Sequence, residues 1–200
     1  SCTVTVSVSE TESFKAASKT VTVTVSSGSK TTVADILAAG VGDYEISATV
    51  MAVAGTNGNI IIGDETGVML LYKNNSGLAV GDVVTVIGSV KDYFGILEFY
   101  SDKDHTLSVT KTGTATVNYP APVVFDDSTF ASYITKPCVE YAKISGTYPE
   151  SGYVINIGSY KANLYGAPSN CKGKEVDLYG YMFGYNSQSD KMYTSFIVTS

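Results

Sequence analysis

Residues 81–88 read GDVVTVIG, and residues 173–180 read GKEVDLYG. Each is an eight-residue segment bounded by glycines, with apolar residues alternating inside: Val84 and Val86 in the first, Val176 and Leu178 in the second. A period of two is the pattern of a strand with one buried face. Other short matches flank the pair in the same order. Residues 46–50 (ISATV) match 144–148 (ISGTY) at an offset of 98, Ile62-Gly63 matches Ile157-Gly158 at 95, and Leu71-Tyr72 matches Leu164-Tyr165 at 93. The glycine-bounded segments follow at 92, and Val109-Thr110 matches Val198-Thr199 at 89. Small changes of loop length between corresponding strands produce such a steady fall, because surface loops tolerate insertion. The ordered matches imply a β unit present twice.

The same reading extends to what precedes and fills each unit. Residues 31–37 read TTVADIL, where Thr32 and Asp35 have the spacing of an acidic capping box. Asp126-Asp127-Ser128 stands ahead of a second short helical turn over residues 129–134, with Ile36 and Ile134 keeping the offset of 98. In the first unit the alternation predicts strands at 44–54, 59–63, 68–73, 83–91 and 96–100, with 107–111 continuing or closing the fifth. Asn57-Gly58 is a hairpin signal. Residues 64–67 (DETG) and 92–95 (DYFG) read as turns. Five strands in about seventy residues suit a small barrel, since an open sheet leaves unpaired edges. Mid-strand glycines such as Gly88 and Gly180 suit its sharp coiling.

These motifs resemble the tandem OB-fold regions of secreted or surface proteins of the Bacteroidetes. The resemblance rests on Thr32–Leu37, the hairpin at 58–62, the D-x-T-G turn at 64–67, Leu71-Tyr72 and the segment at 81–88, and covers about residues 31–200. The second unit lacks the D-x-T-G turn and carries Ser159-Tyr160-Lys161 there. The resemblance implies two OB-fold-like five-stranded Greek-key barrels. Residues 2–8 and 20–26 alternate Val with Ser or Thr, with Cys2 in phase with Val4, Val6 and Val8, which predicts an antiparallel hairpin over residues 2–8 and 20–25. That pair resembles the end of a BACON-type or other Ig-like domain. The expected chain is all-β: an N-terminal β-hairpin over 1–30, a first barrel over 31–112, a proline-stiffened linker over 113–125 and a second barrel over 126–200.

Composition narrows the function. The chain has 200 residues, 44% hydrophobic and 16% charged, which suffices for a buried core. No apolar run reaches the eighteen residues of a membrane span. No leader with a basic start and an apolar stretch is visible, so an export signal is expected upstream of Ser1. All 13 basic residues are lysine and the net charge is −6. Arginine is the bidentate reader of phosphate and guanine, and an acidic chain is repelled by polyphosphate, so nucleic acid is disfavoured as a partner.

No motif points to catalysis, a cofactor or a metal. Asp102, Asp104 and His105 read as a solvated loop, and Asp64-Glu65 lacks the ligand spacing of a calcium loop. One loop histidine builds no Ser-His-Asp set, and Asp126-Asp127 reads as a helix cap. Cys138 and Cys171 leave one disulfide open in an exported setting. Aromatic residues are the informative remainder. On an OB-like ligand face they are Tyr72, Tyr93 and Phe94 in the first unit and Tyr153, Tyr160, Tyr165, Phe183 and Tyr185 in the second, where tyrosines concentrate and the 184–191 loop adds Asn186, Ser187, Gln188 and Asp190. The expected function is a non-catalytic binding module of the cell surface or periplasm, part of a larger exported chain, taking a glycan or a protein partner. The alternative is a structural spacer, with single-stranded nucleic-acid binding as a weaker analogy from the fold.

Overall fold

The computed structural model describes residues 2–8, 11, 17–23, 31–55, 58–74, 77–187 and 193–200. The chain divides into two compact units, Ser1–Lys30 and Thr31–Ser200. In the first, β1 (Cys2–Val8) pairs antiparallel with β2 (Ala17–Val23), Cys2 opposite Val23 and Val8 opposite Ala17. The second strand begins at Ala17 rather than Thr20. Thr24 and Val25 of the expected strand, and most of the joining segment 9–19, lie outside the described residues.

The second unit opens with α1 (Val33–Ala39), which carries the expected capping box: Asp35 N–H donates to Thr32 Oγ1 and Thr32 N–H donates to Asp35 Oδ2. Then come β3 (Gly42–Val53), β4 (Ile60–Asp64), β5 (Gly67–Leu71), β6 (Asp82–Tyr93), β7 (Ile96–Tyr100) and β8 (Ser108–Thr114). Their order is β3-β4-β5-β7-β6, and β6 pairs back onto β3, which closes a five-stranded barrel. Only β5 and β7 run parallel within it. Residues 107–111 neither continue nor close the fifth strand. From Ser108 on they belong to β8, which takes the stretch of β6 edge that β7 leaves, with Val109 opposite Val86. The hairpin signal at Asn57 lies outside the described residues.

The second half contains β9 (Val123–Val124), α2 (Asp127–Tyr133), β10 (Glu140–Thr147), β11 (Val154–Ile157), β12 (Tyr160–Tyr165), a 3-10 turn (Ser169–Cys171), β13 (Glu175–Asn186) and β14 (Tyr193–Val198). The sheet order is β11-β12-β14-β13-β10-β9, again with one parallel pair, β12 and β14, among the five long strands. Here β10 and β11 are not hydrogen-bonded, so the expected second closed barrel is a half-barrel. Residue types explain the difference. The twelve residues of β3 divide their pairing, Gly42–Thr49 with β6 and Thr49–Val53 with β4. The eight residues of β10 all face β13, and two residues beyond its end stands Pro149, which has no N–H for a ladder.

The glycine-bounded segments occupy like positions. Ile46 lies opposite Val86 and Ile144 lies opposite Leu178, in the registers of offsets 98 and 92. The match at offset 89 joins unlike strands, because Val109 is in β8 whereas Val198 lies in β14 opposite Gly180. Phe196, which shares ladder positions with Leu164 and Met182, sits where Phe99 does between Leu71 and Val90. The helices also align differently from the sequence reading. Their caps, Thr32 and Asp126, bring buried Ile36 level with buried Phe130, not with Ile134.

Each barrel has its own core. Val33, Ile36, Ile46, Val86 and Phe99 belong to the first, and Phe130, Ile144, Leu164, Leu178 and Phe196 to the second. A third apolar cluster lies between them. It joins Ala52, Ala54, Ile61, Leu70 and Ile96 to Tyr141, Tyr181, Phe183 and Ile197. A bulge in β3 between Val50 and Ala52 makes this possible: Ile46, Ala48 and Val50 face the barrel core, and beyond the bulge Ala52 and Ala54 face the other barrel. The connection over 113–125 is pinned rather than merely spacing. Its start belongs to β8, Tyr119 donates to Met51 O at 3.0 Å and stacks on Tyr141 at 4.9 Å, and Phe125 is buried.

The two mid-strand glycines have different work. A Cβ on Gly180 would run into the backbone carbonyl of Ile197 on the paired strand, whereas one on Gly88 would meet the tip of Leu107 at 2.7 Å. A backbone carbonyl in a ladder cannot step aside, but a leucine terminus can rotate. Gly180→Ala is therefore expected to cost about 1–3 kcal/mol and Gly88→Ala distinctly less, measured by denaturant unfolding of the two variants.

Candidate functional site

The outer faces of the corresponding ladders, β5 with β7 and β12 with β14, meet between the barrels. On β7, Leu97 and Phe99 point to the core, leaving Ile96, Glu98 and Tyr100 on the outer face. On β12, Ala162 and Leu164 face the core and Asn163 and Tyr165 the outside. These outer faces line a cleft of about 280 Å³, at the small end for ligand pockets.

Its walls are aromatic. From the first barrel come Tyr72, just beyond β5, and Tyr93 and Phe94 at the tip of the β6–β7 hairpin. From the second come Tyr165, Phe183, Tyr185 and Tyr193. Tyr72 and Tyr93 have ring centroids 6.1 Å apart, Tyr93 and Phe94 meet edge-on at 4.2 Å, and Tyr165 and Phe183 are offset by 6.5 Å. Six of the eight aromatic residues placed on ligand faces from the sequence thus share one cleft, although they were expected on two separate faces with the second favoured; Tyr160 instead stacks on Phe130 of the second core. Tyr153 lies outside the cleft and is 58% exposed. Of the polar loop groups, Asn186 lines the cleft, Ser187 does not, and Gln188 and Asp190 lie outside the described residues.

Unusual backbone holds these walls. Lys73 (φ +46°) and Phe94 (φ +53°) are the non-glycine residues with left-handed backbone among the described residues, and both line the cleft. Such conformations cost of order 1–3 kcal/mol and persist where neighbours enforce them. At Phe94 the enforcement is visible. Phe94 and Gly95 (φ +83°) form a two-residue hairpin loop, and Phe94 O accepts from Tyr185 N–H of the other barrel at 3.1 Å. Tyr185 follows a β13 bulge at Gly184 (φ +62°), which lets Phe183, Tyr185 and Asn186 all reach the cleft.

The floor is polar and buried. Glu98 is fully buried at 0% exposure, with Lys91 Nζ 3.4 Å from Oε1 as its ionic partner, yet neither carboxylate oxygen accepts a hydrogen bond. Burial pushes its carboxyl up to about 7, against the pull of Lys91. Asn163, 5% exposed, has an unpartnered Oδ1. Asn59 also lines the floor, where its Oδ1 accepts from Lys73 N–H at 3.2 Å. The two lysines lie over the aromatic walls, Lys73 Nζ 5.1 Å from the Tyr72 ring and Lys91 Nζ 5.2 Å from that of Tyr93. Burial also raises the Tyr165 hydroxyl above its ordinary value, opposed by its hydrogen bond to Ser195.

Sequence reasoning missed Glu98 and Asn163. The signal was present in residues 96–100 (ILEFY), where one acid interrupts a strand that is apolar on both faces. The other candidates resolve locally. Asp64 accepts from Thr66 N–H at 2.8 Å and Val33 N–H at 2.9 Å, which ties its turn to α1. Asp102 accepts from His105 N–H and faces the His105 ring, closing its own loop. Asp126 caps α2 by accepting from Thr129 N–H at 2.8 Å. Cys138 and Cys171 are both free thiols, so the disulfide left open in the sequence does not form. No family model, curated protein or solved structure matches the chain.

Proposed function

We propose that residues 31–200 are a non-catalytic carbohydrate-binding module of the cell envelope, made of two OB-fold-like units from one duplicated ancestor, with the ligand in the cleft between them. The shared strand order with one parallel pair, and the common registers of β3 with β6 and of β10 with β13, support the OB-like and duplicated reading. The observation that carries the function is the union of aromatic walls from both barrels with a buried polar floor. A sugar offers an apolar ring face for stacking and an edge of hydroxyls for hydrogen bonds, and this cleft has a counterpart to each. One carboxylate, Glu98, lines it among the described residues, whereas glycoside hydrolysis ordinarily takes two. Placement in the envelope rests on the resemblance of the sequence motifs.

The spacer alternative draws on one observation, the tyrosines Tyr141 and Tyr181 spent in the contact between barrels. A glycan array and an oligonucleotide screen on the same sample separate the readings. A saccharide should bind, with little dependence on salt, since no counterions are released. Tyr93→Ala, at a ring 42% exposed and so removable without harm to the core, should weaken binding by about 1–3 kcal/mol, by analogy with base stacking. Silence on both arrays leaves the spacer, and a steep salt slope with an oligonucleotide overturns the proposal.

A further inference from the structure

Buried polar atoms in folded proteins almost always have partners, so an orphan asks for an explanation. In the cleft the orphans are of one kind. Glu98 Oε1, Glu98 Oε2 and Asn163 Oδ1 are all acceptors. They come from corresponding outer faces of the two barrels: Glu98 lies across the β5–β7 ladder from Leu70, and Asn163 lies across the β12–β14 ladder from Ser195. Both side chains are more than nine-tenths buried, so bulk water satisfies neither. A ligand group that reaches these atoms, as the side chains turn toward it, must bring donors.

Three chemistries bring or withhold them. An anionic ligand presents acceptors to the floor's acceptors, so its only gain is the attraction of Lys73 and Lys91, whose ammonium groups already lie over the tyrosine rings. An organic cation meets a cleft whose cationic places are taken, because Lys91 lies over Tyr93 and beside Glu98 and Lys73 lies over Tyr72. Its charge would also be opposed by both ammonium groups. A neutral polyol brings hydroxyl donors without that repulsion, and its ring face suits the exposed Tyr93 and half-buried Tyr165.

Resting on the reading of the cleft as a glycan site, we propose that its floor is a subsite for a neutral sugar residue, with Glu98 and Asn163 accepting hydrogen bonds from the sugar hydroxyls. The acceptor-lined floor selects against uronic, sulfated and phosphorylated sugars. Above about pH 7, where its carboxyl is ionised, Glu98 holds the sugar by a charge-assisted bond, and Tyr93 and Tyr165 hold its ring, so the titrations are run at pH 8. The site is incomplete in either barrel alone.

Calorimetric titration of the full chain tests this with neutral gluco-, xylo-, manno- and N-acetylglucosamine oligosaccharides, beside oligogalacturonate, a sulfated oligosaccharide and tetramethylammonium. A neutral oligosaccharide is expected to bind, the anionic sugars and tetramethylammonium are not. Glu98→Gln should weaken that binding roughly 10- to 100-fold, the range for a hydrogen bond to a charged group, and Asn163→Ala several-fold. Thermal melts of both variants check that they are folded. If Glu98→Gln binds as the parent does while Tyr93→Ala fails, the sugar sits on the aromatic walls alone: the subsite is overturned and the glycan module stands. If no saccharide binds, both fall. Preferred binding of an anionic sugar, or saturable competition by tetramethylammonium, overturns the subsite.

Discussion

Phe196→Ala is expected to lower the stability of residues 31–200 by about 3–5 kcal/mol, the range for losing a buried phenylalanine ring. Phe196 is fully buried in the second core and occupies the ladder between β12 and β13. A half-barrel has no closing ladder between β10 and β11 to hold its strands while the core rearranges, so the cavity should not be recovered by collapse. For a domain of this size the loss corresponds to a fall in melting temperature of about 10 °C. The sharper test is where the loss is felt. The apolar cluster shared by the barrels should couple them, so amide exchange at Val84 and Val86 in the first barrel should quicken along with that at Leu164 and Leu178. Protection in the first barrel that is unchanged by Phe196→Ala would mean that the shared cluster does not couple their unfolding.

The second large effect is expected from Glu98→Gln, with the opposite sign. The folded-state carboxyl is raised to about 7 from an ordinary 4.5, because burial disfavours its charged form. Between these values the native protein holds a proton that the unfolded chain releases. The stability contributed by Glu98 is thus full below pH 4.5 and is lost as pH rises through 7. At about 1.4 kcal/mol per pH unit, the parent should lose roughly 3 kcal/mol across that window relative to Glu98→Gln. Lys91 is not stranded by the change, since its side chain remains 34% exposed to water. Urea unfolding at pH 5 and pH 8 measures the difference: the variant should gain on the parent at pH 8 and hardly at pH 5. An equal offset at both values would remove ionisation of Glu98 as the cause. A group that costs stability at neutral pH and lines a cleft has the profile of a residue kept for binding.

Much of this fold was legible because strands announce themselves by alternation, and glycines and caps punctuate them. The TTVADIL cap, residues 96–100 and the registers around the two glycine-bounded segments were all readable. The open seam escaped although Pro149 was in view, since a proline after a strand reads as a turn until the partner it would have served is known. The role of residues 107–111 was misjudged because Val109 alternates like any edge strand, and alternation does not say which edge is free. The candidate site was half legible. Aromatic residues at strand ends could be picked out from Tyr72, Tyr93 and Tyr165, but no periodicity within a strand tells which outer faces of two barrels will meet. Glu98 could be read as an acid interrupting an apolar strand, but not that its outer face lines a cleft shared with the second barrel.

The cluster between the barrels also bears on heredity. A recombination or truncation point in the connecting stretch at 113–122 would leave Ile61, Leu70 and Ile96 bare on one product and Tyr141, Tyr181 and Ile197 on the other. Exposed apolar surface of that kind invites aggregation, so neither half is a viable gift to another gene. However the pair arose, the shared cluster should make it heritable only as one cassette, with exchange expected at its outer borders.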